Sequence, residues 1–333
     1  MGRRYHDSMV ERLLRRRLVC VLAASILAAL YPLLETHAVG MADGEVTACD
    51  RLASLPFDNQ RVTQPVLRVE NLEKAIASCE ADLRKHPDHP RLLLQLGALV
   101  DQRKRSRWTP SAALPILQKS ANQNYLAARY FLAEVMLRSW GRGLRRKGSV
   151  LMLDAARAGH LEAQAQISYH IGRMDKANRA EALALGETAV KRGHLGAMAA
   201  LANAFLMVLS DRNNYGKAAA YLRAADEKGN YDAMALLGRL QVFQFAPNGL
   251  RDFIPENPYG GLRRMHEAAE AGNQRAAFYL GLAYAGATNN VSGNRSAMIK
   301  WFCRAGERGR YMVAEMLERD VADYRCPEET SKR

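Results

Sequence analysis

Residues 217–233 read KAAAYLRAADEKGNYDA, and the break in the middle of this stretch decides the fold. Lys217–Lys228 has helical periodicity. Gly229 then supplies the left-handed backbone conformation that ends a helix and turns the chain sharply. A second helix is expected to follow at once, over Asp232–Val242. The paired alanines near the turn leave room for two helices to approach closely, where a larger side chain would hold them apart.

The same phrase recurs: two small residues, two or three spacers, Gly, three spacers, Ala. It stands at Ala155–Ala163 (AARAGHLEA), Ala189–Ala197 (AVKRGHLGA), Ala224–Ala233 (AADEKGNYDA) and Ala268–Ala276 (AAEAGNQRA). Degenerate copies flank these at Ser120–Ala128 (SANQNYLAA) and Ala305–Ala314 (AGERGRYMVA). The turn positions are therefore Asn124, Gly159, Gly193, Gly229, Gly272 and Gly309, with steps of 35, 34, 36, 43 and 37 residues. A period in this range marks a solenoid of stacked units. Further second helices are expected over Glu162–Ile171, Gly196–Leu209 and Gln274–Ala285. Asp175–Asn178, Asp211–Asn214 and Asn289–Asn294 read as loops with ready N-caps. The long step falls at Phe245–Gly261 (FAPNGLRDFIPENPYGG), a loop that is either a recognition element or a tolerated insertion. Upstream, Leu72–Lys85 is amphipathic, Pro87 breaks it, and Pro90 suits the first turn of a partner helix. Seven helix pairs are thus expected between residues 72 and 322.

The spacing, the AAxxG turn and the Ala-rich second helix resemble the Sel-like repeat family, which is related to the tetratricopeptide repeats. HPDHPRLLLQLG (His86–Gly97) resembles a tetratricopeptide unit. The resemblance assigns residues 72–108 to a tetratricopeptide-like pair and 109–322 to tandem Sel-like repeats. It departs from the family in two ways. Only Trp140-Gly141-Arg142-Gly143-Leu144 comes near the Gly-x-Gly-Val loop, and there is no cysteine pair in every repeat. The resemblance implies an all-α, right-handed superhelical solenoid of antiparallel helix pairs that binds a protein or peptide partner on its concave surface.

The first 40 residues read as a targeting segment. Six arginines lead into an apolar run, Leu18–Leu34, and small residues follow at two points, Ala38-Val39-Gly40 and Gly40-Met41-Ala42. These are the parts of a secretory signal peptide; an uncleaved anchor is the alternative. The expected location is periplasmic or secreted, or else anchored in the inner membrane facing the periplasm. The whole chain has 48 basic and 34 acidic residues; the part after residue 40 keeps 42 and 31, or +11. That excess suits an acidic partner or envelope surface, or a solvated exterior. Cys49, Cys79, Cys303 and Cys326 remain after Cys20 leaves with the signal. An even count in an exported chain suggests two disulfides, with three possible connectivities. The pairs Cys49–Cys79 and Cys303–Cys326 are local and would staple an N-terminal cap (43–71) and a C-terminal tail (323–333), where a solenoid lacks a neighbour.

Catalytic patterns are absent: no HExxH, GxSxG, Walker loop or dinucleotide fingerprint occurs. His160 and His194 sit at equivalent repeat positions, and His86 and His89 flank an inter-helix turn, so no catalytic, cofactor or metal residue is assigned. Two basic runs, Arg103-Lys104-Arg105-Arg107 and Arg142 with Arg145-Arg146-Lys147, are expected in loops. Without interleaved aromatics they do not read as nucleic-acid sites. Tyr130, Tyr169, Tyr221, Tyr279, Tyr284 and Tyr311 are expected mainly to fill gaps between layers. The functional expectation is a non-enzymatic, regulatory interaction scaffold of the cell envelope. A secreted effector binding host proteins is the alternative, and a hydrolase the remote one.

Overall fold

A computed structural model describes residues 44–103, 111–139, 141–209, 211–243, 249–318 and Cys326. The targeting segment and most of the 323–333 tail lie outside the described residues. Among those described, no helix is long and apolar enough to cross a membrane.

A short helix, α1 (Ala48–Ala53), precedes seven antiparallel pairs: α2 (Leu72–Lys85) with α3 (Pro90–Arg103), α4 (Ala113–Ala121) with α5 (Leu126–Arg138), α6 (Arg142–Arg157) with α7 (Leu161–Gln166), α8 (Lys176–Lys191) with α9 (Leu195–Met207), α10 (Arg212–Glu227) with α11 (Tyr231–Val242), α12 (Pro258–Glu270) with α13 (Gln274–Tyr284), and α14 (Arg295–Arg304) with α15 (Glu307–Met316). Helix α7 continues as a 3₁₀ stretch, Ile167–Arg173. The chain is an all-α helical-repeat solenoid. Second helices pack on one another from unit to unit, α3 on α5, α7 on α9, α9 on α11 and α11 on α13. That stacking puts them on the inside of the curve.

The turns explain the repeat. Gly159, Gly193, Gly229 and Gly272 all have φ between 75° and 94°, and Asn124 takes φ 62°. Four residues before each turn stands a fully buried small side chain: Ser120, Ala155, Ala189, Ala225 or Ala268. Four residues after it stands a fully buried alanine: Ala128, Ala163, Ala197, Ala233 or Ala276. Between them, the residue after the glycine caps the second helix. Asn230 and Asn273 accept the third helical N–H at 2.9 Å through Oδ1, and His160 and His194 do so through Nδ1 at 3.2 and 3.3 Å.

The last unit corrects one expectation. Gly309 is not the turn; Gly306 is, with φ 75°. The unit lacks the cap residue, so α15 starts directly after Gly306. Gly309 thereby falls third in the helix, in the buried alanine's place. A Cβ there would lie 1.8 Å from the Phe302 carbonyl oxygen. Phe302 in turn fills the small-residue place four before the turn and is fully buried.

Other boundaries shift as well. Helices α8 and α10 begin at Lys176 and Arg212, so only Asp175 and Asp211 remain outside as caps. Pro258 occupies the first turn of α12, which ends the long loop at Asn257 rather than Gly261. Residues 249–257 of that loop are held down: Leu250 and Ile254 are buried in the α10–α11 core, and the Arg251 guanidinium donates to the carbonyls of Leu240 and Phe243. The second basic run is helical: Arg142–Lys147 form the first turns of α6, which packs against α5 and α7. Of the first run, Arg103 closes α3 and the rest lies outside the described residues.

The ends are stapled. Cys49 is bonded to Cys79, and Cys303 to Cys326. The N-terminal cap adds a buried polar network. Asp50 accepts from Arg91 Nε at 2.8 Å and from Gln95 Nε2 at 2.9 Å, and Asp82 accepts the Cys49 N–H. Asp58 accepts the Tyr125 hydroxyl, and the Phe57 carbonyl lies 3.1 Å from His160 Nε2. The cap therefore reaches as far as α7.

Candidate functional site on the inner face

Two connected chambers open on the inside of the curve. One, of about 400 Å³, is lined by Glu134, Arg138, Tyr169, His170, Arg173, Asn203 and Arg275. The other, of about 630 Å³, runs from Asp101 and Arg138 to Arg275, Phe278, Tyr279 and the start of α15. The two share Leu137, Arg138 and Arg275. Volumes of this size suit a small ligand or a few residues of peptide.

Arg275, on the first turn of α13, is the residue that closes the curve. Its Nη1 donates to the Tyr169 hydroxyl at 3.2 Å across 106 residues of sequence, and its guanidinium stacks 4.8 Å from the Tyr169 ring. Asp232 stands 3.7 Å from the same guanidinium. Arg138 is anchored at 3.0 Å by Asp101, which also accepts from Ser111. On the far wall Arg308 lies 4.0 Å over the Phe278 ring.

The enclosure alters protonation. Burial pushes the Glu134 carboxyl above the usual carboxylate range, against the pull of Arg138. Burial pushes His170 down to about 4, with Arg173 adding to it, and the Tyr169 phenol up to about 12. At neutral pH His170 is uncharged, so the guanidiniums of Arg138, Arg173 and Arg275 set the character of the smaller chamber. Arg173 contacts the His170 ring at 3.5 Å. With Asn203 and Gln166 beside them, these groups form a donor-rich wall. Such a wall is fitted to carbonyl and carboxylate oxygens of an extended segment.

Sequence reasoning placed binding on the concave surface and named Tyr169 and Tyr279 among tyrosines of which some would line that face, but it assigned no partner-binding residue and singled out none of the arginines of the chambers. Tyr169 and Tyr279 face the chambers. Other tyrosines fill gaps as expected: Tyr130 stacks on His160 and packs edge-on against Phe57, and Tyr221 stacks on Phe205. Tyr284 bonds His266 at 3.0 Å. Asn124, Gly159, Gly193, Gly229, Gly272 and the four bonded cysteines line neither chamber and serve the scaffold, whereas the last turn, Gly306, borders the larger chamber.

No protein-family model matches the chain, and no curated protein matches it. Three solved structures are similar to it. A Sel1 repeat protein from Oxalobacter formigenes is 20% identical, covering 70% of this chain and 93% of its own, with a TM-score of 0.47. A protective antigen of uropathogenic Escherichia coli, displaying an SLR fold, is 16% identical, covering 74% of this chain and 53% of its own, with a TM-score of 0.37. An immunity protein from Pseudomonas aeruginosa is 14% identical, covering 66% of this chain and 82% of its own, with a TM-score of 0.42. The likeness is one of fold. The assignment of helical-repeat solenoid rests on the seven pairs and their turns described above.

Proposed function

We propose that the chain is a non-enzymatic interaction scaffold of the cell envelope, periplasmic or secreted, that holds an extended segment of a partner protein along its inner face. One observation carries this reading. Side chains from α5, the 3₁₀ stretch after α7, α9 and α13 converge on one donor-rich pair of chambers. A stacked repeat supplies such a surface because equivalent positions of successive second helices point the same way. The Arg and Tyr side chains there are the types that dominate binding energy at protein interfaces. The basic leader and apolar run of residues 3–34 support export.

The test is capture from crosslinked cell envelope by the full chain and by R173E and R275E variants, with culture supernatant as control. The reading expects one envelope protein enriched by the wild type and lost with both variants. Equal capture by all three would place the partner elsewhere. A partner found only in the supernatant would move the reading to a secreted protein.

A further inference from the structure

The basic run that the sequence placed in a loop forms, instead, one end of an exposed cationic edge. Arg142, Arg146 and Lys147 are exposed on the first two turns of α6, and Arg145 is half-buried beside them. Antiparallel pairing brings the end of the 3₁₀ stretch, and the start of α8 just beyond it, to the same edge. There Arg173 and Lys176 are exposed too. No ion pair links any of these six cations to an acid among the described residues, where fifteen such pairs connect other side chains. The acid at the same edge, Asp175, is taken up in capping α8, where both its oxygens accept from Asn178. Helix α6 has no acidic residue in its first turn and no side-chain cap at Gly141. Its four cations thus crowd the positive end of a helix dipole, which disfavours them in the isolated protein. An anionic surface laid against the edge would remove both penalties.

We infer that this edge, formed by the first turns of α6 and α8 and the end of the 3₁₀ stretch, docks on an anionic phospholipid surface. Two observations favour lipid over an acidic protein. Apart from Arg173, which borders the smaller chamber and contacts His170, the cations stand on helix ends and not in a groove, and among the described residues no side-chain hydrogen bond fixes them in a stereospecific geometry. A layer of headgroup phosphates needs only proximity, at about 1 kcal/mol per cation or roughly fivefold each. Besides this, the apolar run Leu18–Leu34 brings the chain to a bilayer whether it acts as a signal or as an anchor. The four α6 cations line neither inner chamber, so docking through them is tested separately from partner capture, although Arg173 borders both the edge and the smaller chamber.

Binding of the full chain would be measured by flotation with vesicles of phosphatidylcholine alone and with about 30% phosphatidylglycerol, at low and high salt. The proposal expects at least about tenfold stronger binding to the anionic vesicles at low salt, and loss of that preference at high salt. The variant R142Q/R145Q/R146Q/K147Q would lose most of the preference. A variant from the opposite edge, R84Q/K85Q/K191Q/K228Q, removes as much charge and would keep it. The apolar run gives every variant the same salt-independent background. Equal loss in both variants, or an unchanged preference in the first, would overturn the proposal. So would retention on immobilised polyglutamate without any preference for anionic vesicles, which would assign the edge to an acidic protein. Matching melting curves would show that the variants fold.

Discussion

At Gly193 the chain leaves α8 in the left-handed conformation, caps α9 with His194, and buries Ala197 against the preceding layer. At Gly306 it makes the same left-handed turn but omits the cap, and Gly309 takes the alanine's buried place. What persists between the two turns is the backbone conformation and a small residue at the third helical position. The cap is dispensable, and the residue four before the turn can grow from Ala189 to Phe302. Phe302 is accommodated because Gly281, opposite it on α13, has no side chain to obstruct it. The repeat is thus conserved as a set of steric allowances, and each unit meets them with its own residues.

The comparison breaks most sharply at Gly309. A methyl group there would collide with the Phe302 carbonyl, which belongs to backbone and cannot rotate away. Gly309→Ala should destabilise the last pair by about 3 kcal/mol, at the upper end for overpacking. Hydrogen exchange should quicken in α14 and α15 while α8 and α9 stay protected. Gly193→Ala meets open space, so its penalty is the left-handed backbone alone, about 1–2 kcal/mol. If the two substitutions had equal effects on the melting curve, the assignment of Gly309 to close packing would fail.

A smaller effect tests the caps. Asn273→Ala removes a 2.9 Å bond to the Ala276 N–H and should lose about 1 kcal/mol in thermal unfolding. His194→Ala, at 3.3 Å, should lose less through the cap itself, though it also releases Glu162. Gly306 offers no side-chain cap to remove, so the start of α15 has no counterpart of this bond to lose.

The fold was legible because its signal is local and repeated. A glycine turn, a small residue four positions to either side and a helical pattern around them all lie within a dozen residues. The terminal turn was misread for the same reason: one missing residue slid Gly309 into the frame, and Phe302 hid the true turn by replacing a small residue. The inner site was not legible. Tyr169 and Arg275 meet only because curvature accumulates over several units, and no local spacing encodes that. The second basic run was visible as charge, but its helical state depends on α6 packing against α5 and α7. That packing is tertiary information.

Histidine gives the finest comparison, because His160 and His194 hold the same cap with opposite electrostatics. His160 Nε2 faces the Phe57 carbonyl, and burial lowers its affinity for a proton although Glu162 pulls the other way. Its folded pKa lies below the unfolded value, so its contribution is complete above about pH 6.5 and is lost as the pH falls. His194 Nε2 lies 3.0 Å from Glu162 Oε1, and that bond raises its pKa against the effect of burial. Its contribution is complete below about pH 6.5 and is lost as the pH rises through the raised value. Asparagine performs the same capping at Asn230 and Asn273 without titrating in this range. His160→Asn should therefore flatten the decline of melting temperature between about pH 7 and 5, where His89, His170 and His266 also contribute in the same direction. His194→Asn should leave that decline in place or steepen it, since it removes the one opposing histidine among these five. Melting curves of the two variants that shift in parallel across this range would show that both histidines act only as caps, and that their second nitrogens have no part in the pH response.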